Sequence, residues 1–111
     1  MQPVRDNTAE KKRGPTMNKQ DRQEAFQVVL FGRPGCHLCD EVERRIRAVA
    51  AEVPLVLETR SIAEDPVLEE KYMLTIPVVQ IDGDEVFLSI DSIMTEEQLR
   101  AELQGRRTKR D

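Results

Sequence analysis

Two cysteines three positions apart, Cys36 and Cys39, carry all the thiol chemistry of this 111-residue chain, and its only histidine, His37, lies between them. Such a pair supports two kinds of chemistry: the sulfurs can cycle between dithiol and disulfide, or they can join further soft ligands around a metal. A closed zinc site needs four ligands, and this chain offers three at most in one place. A metal would therefore have to bridge two copies, as a dimer-bridging zinc or iron–sulfur site. Two cysteines this close cannot build the multi-bridge framework of a small secreted domain. A redox motif with no metal of its own is the expectation.

Cys39 to Arg45 also matches C-x5-R, a spacing used by phosphate-binding thiol loops. That loop needs glycines and converging N–H groups. Here Asp40, Glu41 and Glu43 fill the interval and would repel an anion.

The flanking segments decide how the two sulfurs differ. Phe26-Gln27-Val28-Val29-Leu30-Phe31 is nearly apolar throughout, which predicts a central strand buried on both faces, and Gly32 and Pro34-Gly35 then break it. From Cys39 the apolar positions Val42, Ile46, Val49, Ala50 and Val53 follow a helical period, with acid-first pairs at i, i+4 (Asp40/Arg44, Glu41/Arg45, Glu43/Arg47), until Pro54 stops the helix. Residues three apart at the start of a helix have Cβ atoms about 5 to 6 Å apart, against about 3.5 to 4.5 Å in a disulfide. A small adjustment of one turn therefore opens or closes the bond.

Cys36 precedes the helix, where unpaired N–H groups and the dipole favour a nearby negative charge by about 0.3 to 2 kcal/mol. Cys39 falls on the apolar stripe, where burial favours the neutral thiol. Because the thiolate is the reactive form, Cys36 is expected to be the nucleophile and Cys39 the resolving thiol. Arg33 and His37 are expected to tune Cys36 toward the thiolate, against the opposing charges of Asp40, Glu41 and Glu43. His37 also reads as an inert spacer or a metal ligand. Leu38 is expected to offer contact surface to a substrate.

Downstream, Leu55–Thr59 predicts a second strand, and Asp65-Pro66 opens a second helix running to about Tyr72, with an N-cap and a proline at the first helical position. Ile76–Ile81 and Glu85–Leu88 predict a hairpin around Asp82-Gly83-Asp84. A capping box, Thr95-Glu96-Glu97-Gln98, opens a last helix through Leu99 and Leu103, ended by Gly105. The order βαβαββα predicts one α/β domain over residues 26–104, with a right-handed parallel crossover and a closing antiparallel hairpin in the same mixed four-stranded sheet, flanked by three helices. Residues 1–25 are expected to be a disordered N-terminal tail and residues 105–111 a mobile basic tail, and Met17 offers an alternative start. No segment has the apolar run of a signal peptide or membrane helix, so the chain is expected in the cytoplasm.

With these elements in place, residues 26 to 104 resemble the thioredoxin superfamily, and within it the glutaredoxin-like proteins. The likeness lies in the element order, the Cys-x-x-Cys after the first strand, and Thr75-Ile76-Pro77 before the third. Gly35-Cys36-His37-Leu38-Cys39-Asp40-Glu41 is similar to a group of small bacterial glutaredoxin-like proteins. The resemblance implies a thioredoxin-like fold, a cis proline at Pro77 set against the cysteine pair, and a substrate held along the backbone of Ile76, with Leu38, Thr75, Ile76 and Pro77 as the substrate-binding residues. Two features depart from it. His-Leu replaces the Pro-Tyr usual between the cysteines of dithiol glutaredoxins, and the glycine pair that helps hold glutathione is missing from Phe87-Leu88-Ser89-Ile90-Asp91-Ser92. Asp91 reads either as a contact to a small thiol's amine or as a solvated loop acid.

The expected function is thus a dithiol–disulfide oxidoreductase that reduces protein or small-molecule disulfides, is recycled by a cellular thiol reductant, binds no cofactor permanently and works as a monomer. Glutathione as that reductant stays open. The alternative is a non-catalytic thioredoxin-like module that senses oxidants or binds a partner. Residues 26 to 104 carry seven Lys/Arg against sixteen Asp/Glu, an acidic body that disfavours nucleic acid as partner. No membrane partner is expected.

Overall fold

In the computed structural model of the protein, residues 25–110 are described. The expected disorder of the N-terminal tail, Ala25 apart, and the alternative start at Met17 lie outside them. The elements are β1 (Phe26–Gly32), α1 (His37–Ala50), β2 (Leu55–Ser61), a 3-10 turn (Ile62–Glu64), α2 (Pro66–Tyr72), β3 (Val78–Ile81), β4 (Asp84–Phe87) and α3 (Glu96–Arg110). This is the expected βαβαββα order, in a thioredoxin-like α/β fold of four strands and three helices. Among the described residues no helix is long and apolar enough to cross a membrane.

The sheet order is β2-β1-β3-β4, parallel between β1 and β2 and antiparallel elsewhere. The apolar run of β1 is explained by its place in the middle. On one face Phe26, Val28 and Leu30 pack with Val42, Ile46 and Val49 of α1 and with Leu99 and Leu103 of α3. On the other face Phe31 packs with Ile62, Tyr72 and Val78, beside Val29, Leu68 and Ile76. Period-two side chains therefore send alternate residues of β1 into two separate cores. Edge strand β2 instead alternates half-buried Leu55 and Leu57 with exposed Val56 and Glu58.

Local signals set most boundaries. The Asp65 carboxylate accepts the Val67 N–H at 2.9 Å and Pro66 is the first residue of α2. The hairpin turns on Asp82 (φ 50°) and Gly83 (φ 89°), the two successive left-handed residues that a tight hairpin turn uses. The capping box forms as expected: Thr95 Oγ1 accepts from the Gln98 N–H at 3.1 Å, and Gln98 Oε1 accepts from the Thr95 N–H at 2.9 Å.

Several boundaries differ: α1 ends at Ala50, short of Pro54, and β4 is Asp84–Phe87, one residue earlier than expected. β2 runs on to Ser61 because β1 pairs with it along its full length, Phe26 with Leu55 through Gly32 with Ser61. β3 begins at Val78 and not at Ile76, since the Ile76 N–H donates back to the Tyr72 carbonyl at 3.1 Å and Pro77 has no N–H for the ladder. Most substantially, Gly105 does not end the last helix, and the basic segment after it is helical to Arg110. Gly105 is not among the left-handed glycines. The turn around it is held from both sides: Arg106 pairs with Glu102 at 2.9 Å and with Asp84 of β4 at 3.2 Å, and the Thr108 hydroxyl donates to the Gln104 carbonyl at 3.0 Å.

A helical glycine carries an entropic cost, and a Cβ on Gly105 would meet nothing within 4 Å. Gly105→Ala should therefore stabilise the protein by about 0.5 to 1 kcal/mol, read as a higher urea midpoint at unchanged m-value; a lower midpoint would mean that the helix stops there.

Glu85 of β4 is bound by the Tyr72 hydroxyl and by the Lys71 ammonium at 3.2 Å. The Tyr72 bond first, and then Lys71, hold its carboxyl below the usual carboxylate range. A lowered folded-state pKa gives stability that is complete above the unfolded value near 4.3 and is lost as pH falls through the folded value. In acid titrations of stability, Glu85→Gln should lose less than the wild type over that window and cost most above it.

Candidate functional site

β1 delivers the chain to the site at Gly32. The turn that follows closes with the Cys36 N–H donating to the Arg33 carbonyl at 3.2 Å, and Gly35 takes the left-handed conformation (φ 78°) that it requires. Cys36 is then the N-cap of α1, with extended backbone, and its Sγ accepts the Cys39 N–H at 3.1 Å. Sulfur thus occupies the place usually filled by a Ser or Asp oxygen. The free N–H groups of the first turn surround a group that gains negative charge when it ionises.

Cys39, one turn on, shares the buried stripe with Val42, Ile46 and Val49 and is 6% exposed, whereas Cys36 is half-buried. The two are joined as a disulfide with a Cα–Cα separation of 5.2 Å, inside the range that the bond spans without backbone movement.

Around the pair, His37 is the exposed first residue of α1 and its side chain makes no hydrogen bond among the described residues; Leu38 is 52% exposed. Arg33 is turned toward α2, where its Nη2 lies 3.2 Å from the Glu69 carboxylate, so part of its charge is compensated away from Cys36. Asp40 is exposed. Arg44 pairs with Glu41 and not with Asp40, Arg45 joins the same carboxylate at 3.2 Å, and the Arg44 hydrogen bond leads in holding the Glu41 carboxyl below its ordinary range. Glu43 pairs with Arg47 at 2.7 Å.

The antiparallel register that sets Phe31 opposite Val78 brings Pro77 level with Gly32. Pro77 is buried and the Ile76–Pro77 bond is cis. Thr75 and Ile76 are half-buried and both give their N–H to the Tyr72 carbonyl, at 2.9 and 3.1 Å. The stretch lacking the glycine pair is fastened to this segment: the Ser89 N–H donates to the Thr75 carbonyl at 3.0 Å and its hydroxyl to the Pro77 carbonyl at 2.7 Å. Leu74 and Ile90 flank that attachment at 85% and 70% exposed, and Asp91 is exposed. Among the described residues no three His, Cys, Asp or Glu side chains are grouped to hold a metal ion.

A model of the glutaredoxin-like domain (DUF836) matches residues 27–104, which takes in all four strands but for Phe26 at the start of β1, both cysteines and Pro77. The chain belongs to this glutaredoxin-like family. Its fold recurs in protein Ne2328 of Nitrosomonas europaea, at 25% identity and a TM-score of 0.61, over 71% of this chain and 92% of that one. It recurs too in a structural-genomics target protein of X. campestris, at 29% identity and a TM-score of 0.56, over 70% and 96%. A thioredoxin from Halobacterium salinarum, 17% identical with a TM-score of 0.57 over 84% and 85%, shares the fold alone. Comparison of the sequence with proteins of curated function finds no match. A glutaredoxin-like thioredoxin fold with a bonded Cys-x-x-Cys pair fits a redox role.

Two of the site's contacts are tertiary and invisible in the sequence: Ser89 on the Thr75–Pro77 segment, and Glu69 on Arg33. Gly32 has a role besides ending the strand. A Cβ there would lie 2.8 Å from Cys39 Sγ and 3.0 Å from its Cβ, so the strand can pass behind the disulfide only without a side chain. Gly32→Ala should destabilise the oxidised protein by about 1 to 3 kcal/mol, the usual cost of overpacking, in urea unfolding followed by circular dichroism; unchanged stability would mean that Cys39 yields freely.

Proposed function

We propose that this family member is a dithiol–disulfide oxidoreductase in which Cys36 attacks and Cys39 resolves. The observation that carries this is the asymmetry of the pair: Cys36 caps the helix and is half-exposed, and Cys39 is buried one turn further in. The Cys36 thiolate attacks a substrate disulfide, forming a mixed disulfide and releasing one substrate sulfur as a thiolate. Cys39 then attacks Cys36 Sγ, releases the second substrate sulfur and leaves the protein as the disulfide. The substrate disulfide has gained two electrons, and a cellular thiol reductant returns the protein to the dithiol. The half-exposed Cys36 meets the incoming disulfide with Leu38 beside it, and the substrate runs along Ile76-Pro77.

Two details favour protein disulfides as substrates. The apolar side chains of Leu38, Leu74 and Ile90 are exposed, and the Ser89 N–H and hydroxyl are already committed to Thr75 and Pro77. A substrate segment beside Pro77 would meet the Ile76 carbonyl, because the Ile76 N–H is given to Tyr72. A reductase of this kind works in a reducing compartment, the cytoplasm.

The decisive measurement is turnover of a disulfide-bonded protein with a thioredoxin- or glutathione-type reducing system. Cys36→Ser should fall to background. Cys39→Ser should keep the first attack and accumulate an intermolecular adduct visible by mass spectrometry. Equal rates in all three proteins would sink the mechanism, and a wild type that forms its disulfide without turning over would make the pair a sensor.

A further inference from the structure

We infer that Glu43 takes the proton of Cys39 as the mixed disulfide is resolved, an inference that rests on the dithiol mechanism above and adds a residue to it. Resolution needs the Cys39 sulfur to lose a proton in a place that resists charge. The thiol is almost wholly buried, and among the described residues no polar or charged side chain is buried in the core beside it. Cys39 borders an open cleft. Behind the disulfide, where the ends of β1 and β2 meet α1, a cleft of ≈ 170 Å³ is lined by Cys39, Gly32, Asp40, Glu43, Arg60 and Ser61, among others. Its volume admits several waters.

Glu43 stands four residues after Cys39 on α1, about 40° around the helix from it, with Cβ atoms about 6 Å apart; Asp40, the next residue, is turned about 100° away. Glu43 is half-buried and Asp40 exposed. Both hydrogen bonds from Arg47, at 2.7 and 3.0 Å, go to Glu43 Oε2, and Oε1 accepts none among the described residues. Arg47 therefore pins the carboxylate by one oxygen and leaves the other to accept a proton. The remaining charges at the cleft are committed elsewhere: Arg33 to Glu69 at 3.2 Å, and Arg60 to Glu58 at 3.8 Å with its guanidinium 6.0 Å above the Phe31 ring. Among the described residues both arginines at the cleft are thus paired with carboxylates and neither is free to stabilise a Cys39 thiolate in advance, so proton removal accompanies attack.

The step balances as follows. The Cys39 S–H proton passes to Glu43 Oε1, directly or through one water. The sulfur's electron pair forms the bond to Cys36 Sγ, and the substrate sulfur leaves Cys36 with the pair of the broken bond. Glu43 then returns the proton to solvent through the open cleft. In reduction of the protein by a thiol the same carboxyl delivers a proton to the departing Cys39.

A single turnover of the reduced protein with the aromatic disulfide dithiobis(nitrobenzoate) separates the two attacks, because each releases one coloured nitrothiolate. Glu43→Gln should leave the first release unchanged and slow the second about 100-fold, the low end of general-base effects. Its second phase should also rise about tenfold per pH unit through neutrality, as a reaction of preformed thiolate does, where the wild-type phase is flat. Arg47→Gln breaks the same ion pair but keeps the carboxylate, so its second phase should stay within about threefold of wild type. Equal slowing by Arg47→Gln, slowing by Asp40→Asn in place of Glu43→Gln, or an unmoved pH profile would overturn the assignment. A wild-type protein with no first release would instead overturn the disulfide-exchange mechanism itself.

Discussion

The burial of β1 on both faces is the constraint on which this molecule hangs. One strand supplies side chains to two cores, Phe26, Val28 and Leu30 to one and Phe31 to the other. At roughly 1.5 to 3 kcal/mol for each large apolar side chain withdrawn from water, it anchors α1 and α3 on one side of the sheet and α2 on the other. The chemistry inherits its position from this. Gly32 is the last residue of the strand, the turn that follows is short, and α1 can start only where its stripe meets the face it covers. Cys36 and Cys39 therefore sit at the junction between the best-anchored strand and the helix that closes its core.

That placement gives two like atoms unlike surroundings. The cap position offers Cys36 the Cys39 N–H at 3.1 Å and a half-open surface, while the stripe position takes Cys39 into the core. Neither environment needs a dedicated residue. They follow from the phase of the helix relative to the motif, which three residues of spacing fix. The acids of the first turns, which would oppose a thiolate, are largely paired with arginines of the same helix: Glu41 with Arg44 and Arg45, Glu43 with Arg47. The acidic body thus carries less uncompensated charge near the sulfurs than its composition suggests.

Elements whose signals are local could be read from the sequence alone. The apolar run of β1, the stripe of α1, the Asp65-Pro66 start of α2, the Asp82-Gly83 turn and the Thr95 capping box each contain their own cause within a few residues. What escaped has its cause elsewhere in the chain. Gly105 has the composition of a helix stop, yet Arg106 ties the next turn to Asp84 on a strand distant in sequence. Ile76 has the makings of a strand residue, yet its N–H is taken by Tyr72. The site divides the same way. The cysteines and Pro77 were legible from motif and resemblance, whereas the fastening of Ser89, the diversion of Arg33 to Glu69 and the close passage of Gly32 behind Cys39 depend on distances that only the folded chain defines.

The disulfide encloses a stretch with a sequence separation of only 3. In the chain-entropy account the freedom that a cross-link removes from the unfolded state grows with the loop it closes, giving about 2 kcal/mol here and less than half of what a loop of 100 residues would give. The native state therefore draws most of its cohesion from the two apolar cores and the smaller part from its own covalent bond. Reduction costs the domain about 2 kcal/mol against the roughly 5 to 15 kcal/mol usual for a folded domain, so the two electrons can be exchanged in either direction while the same structure presents them.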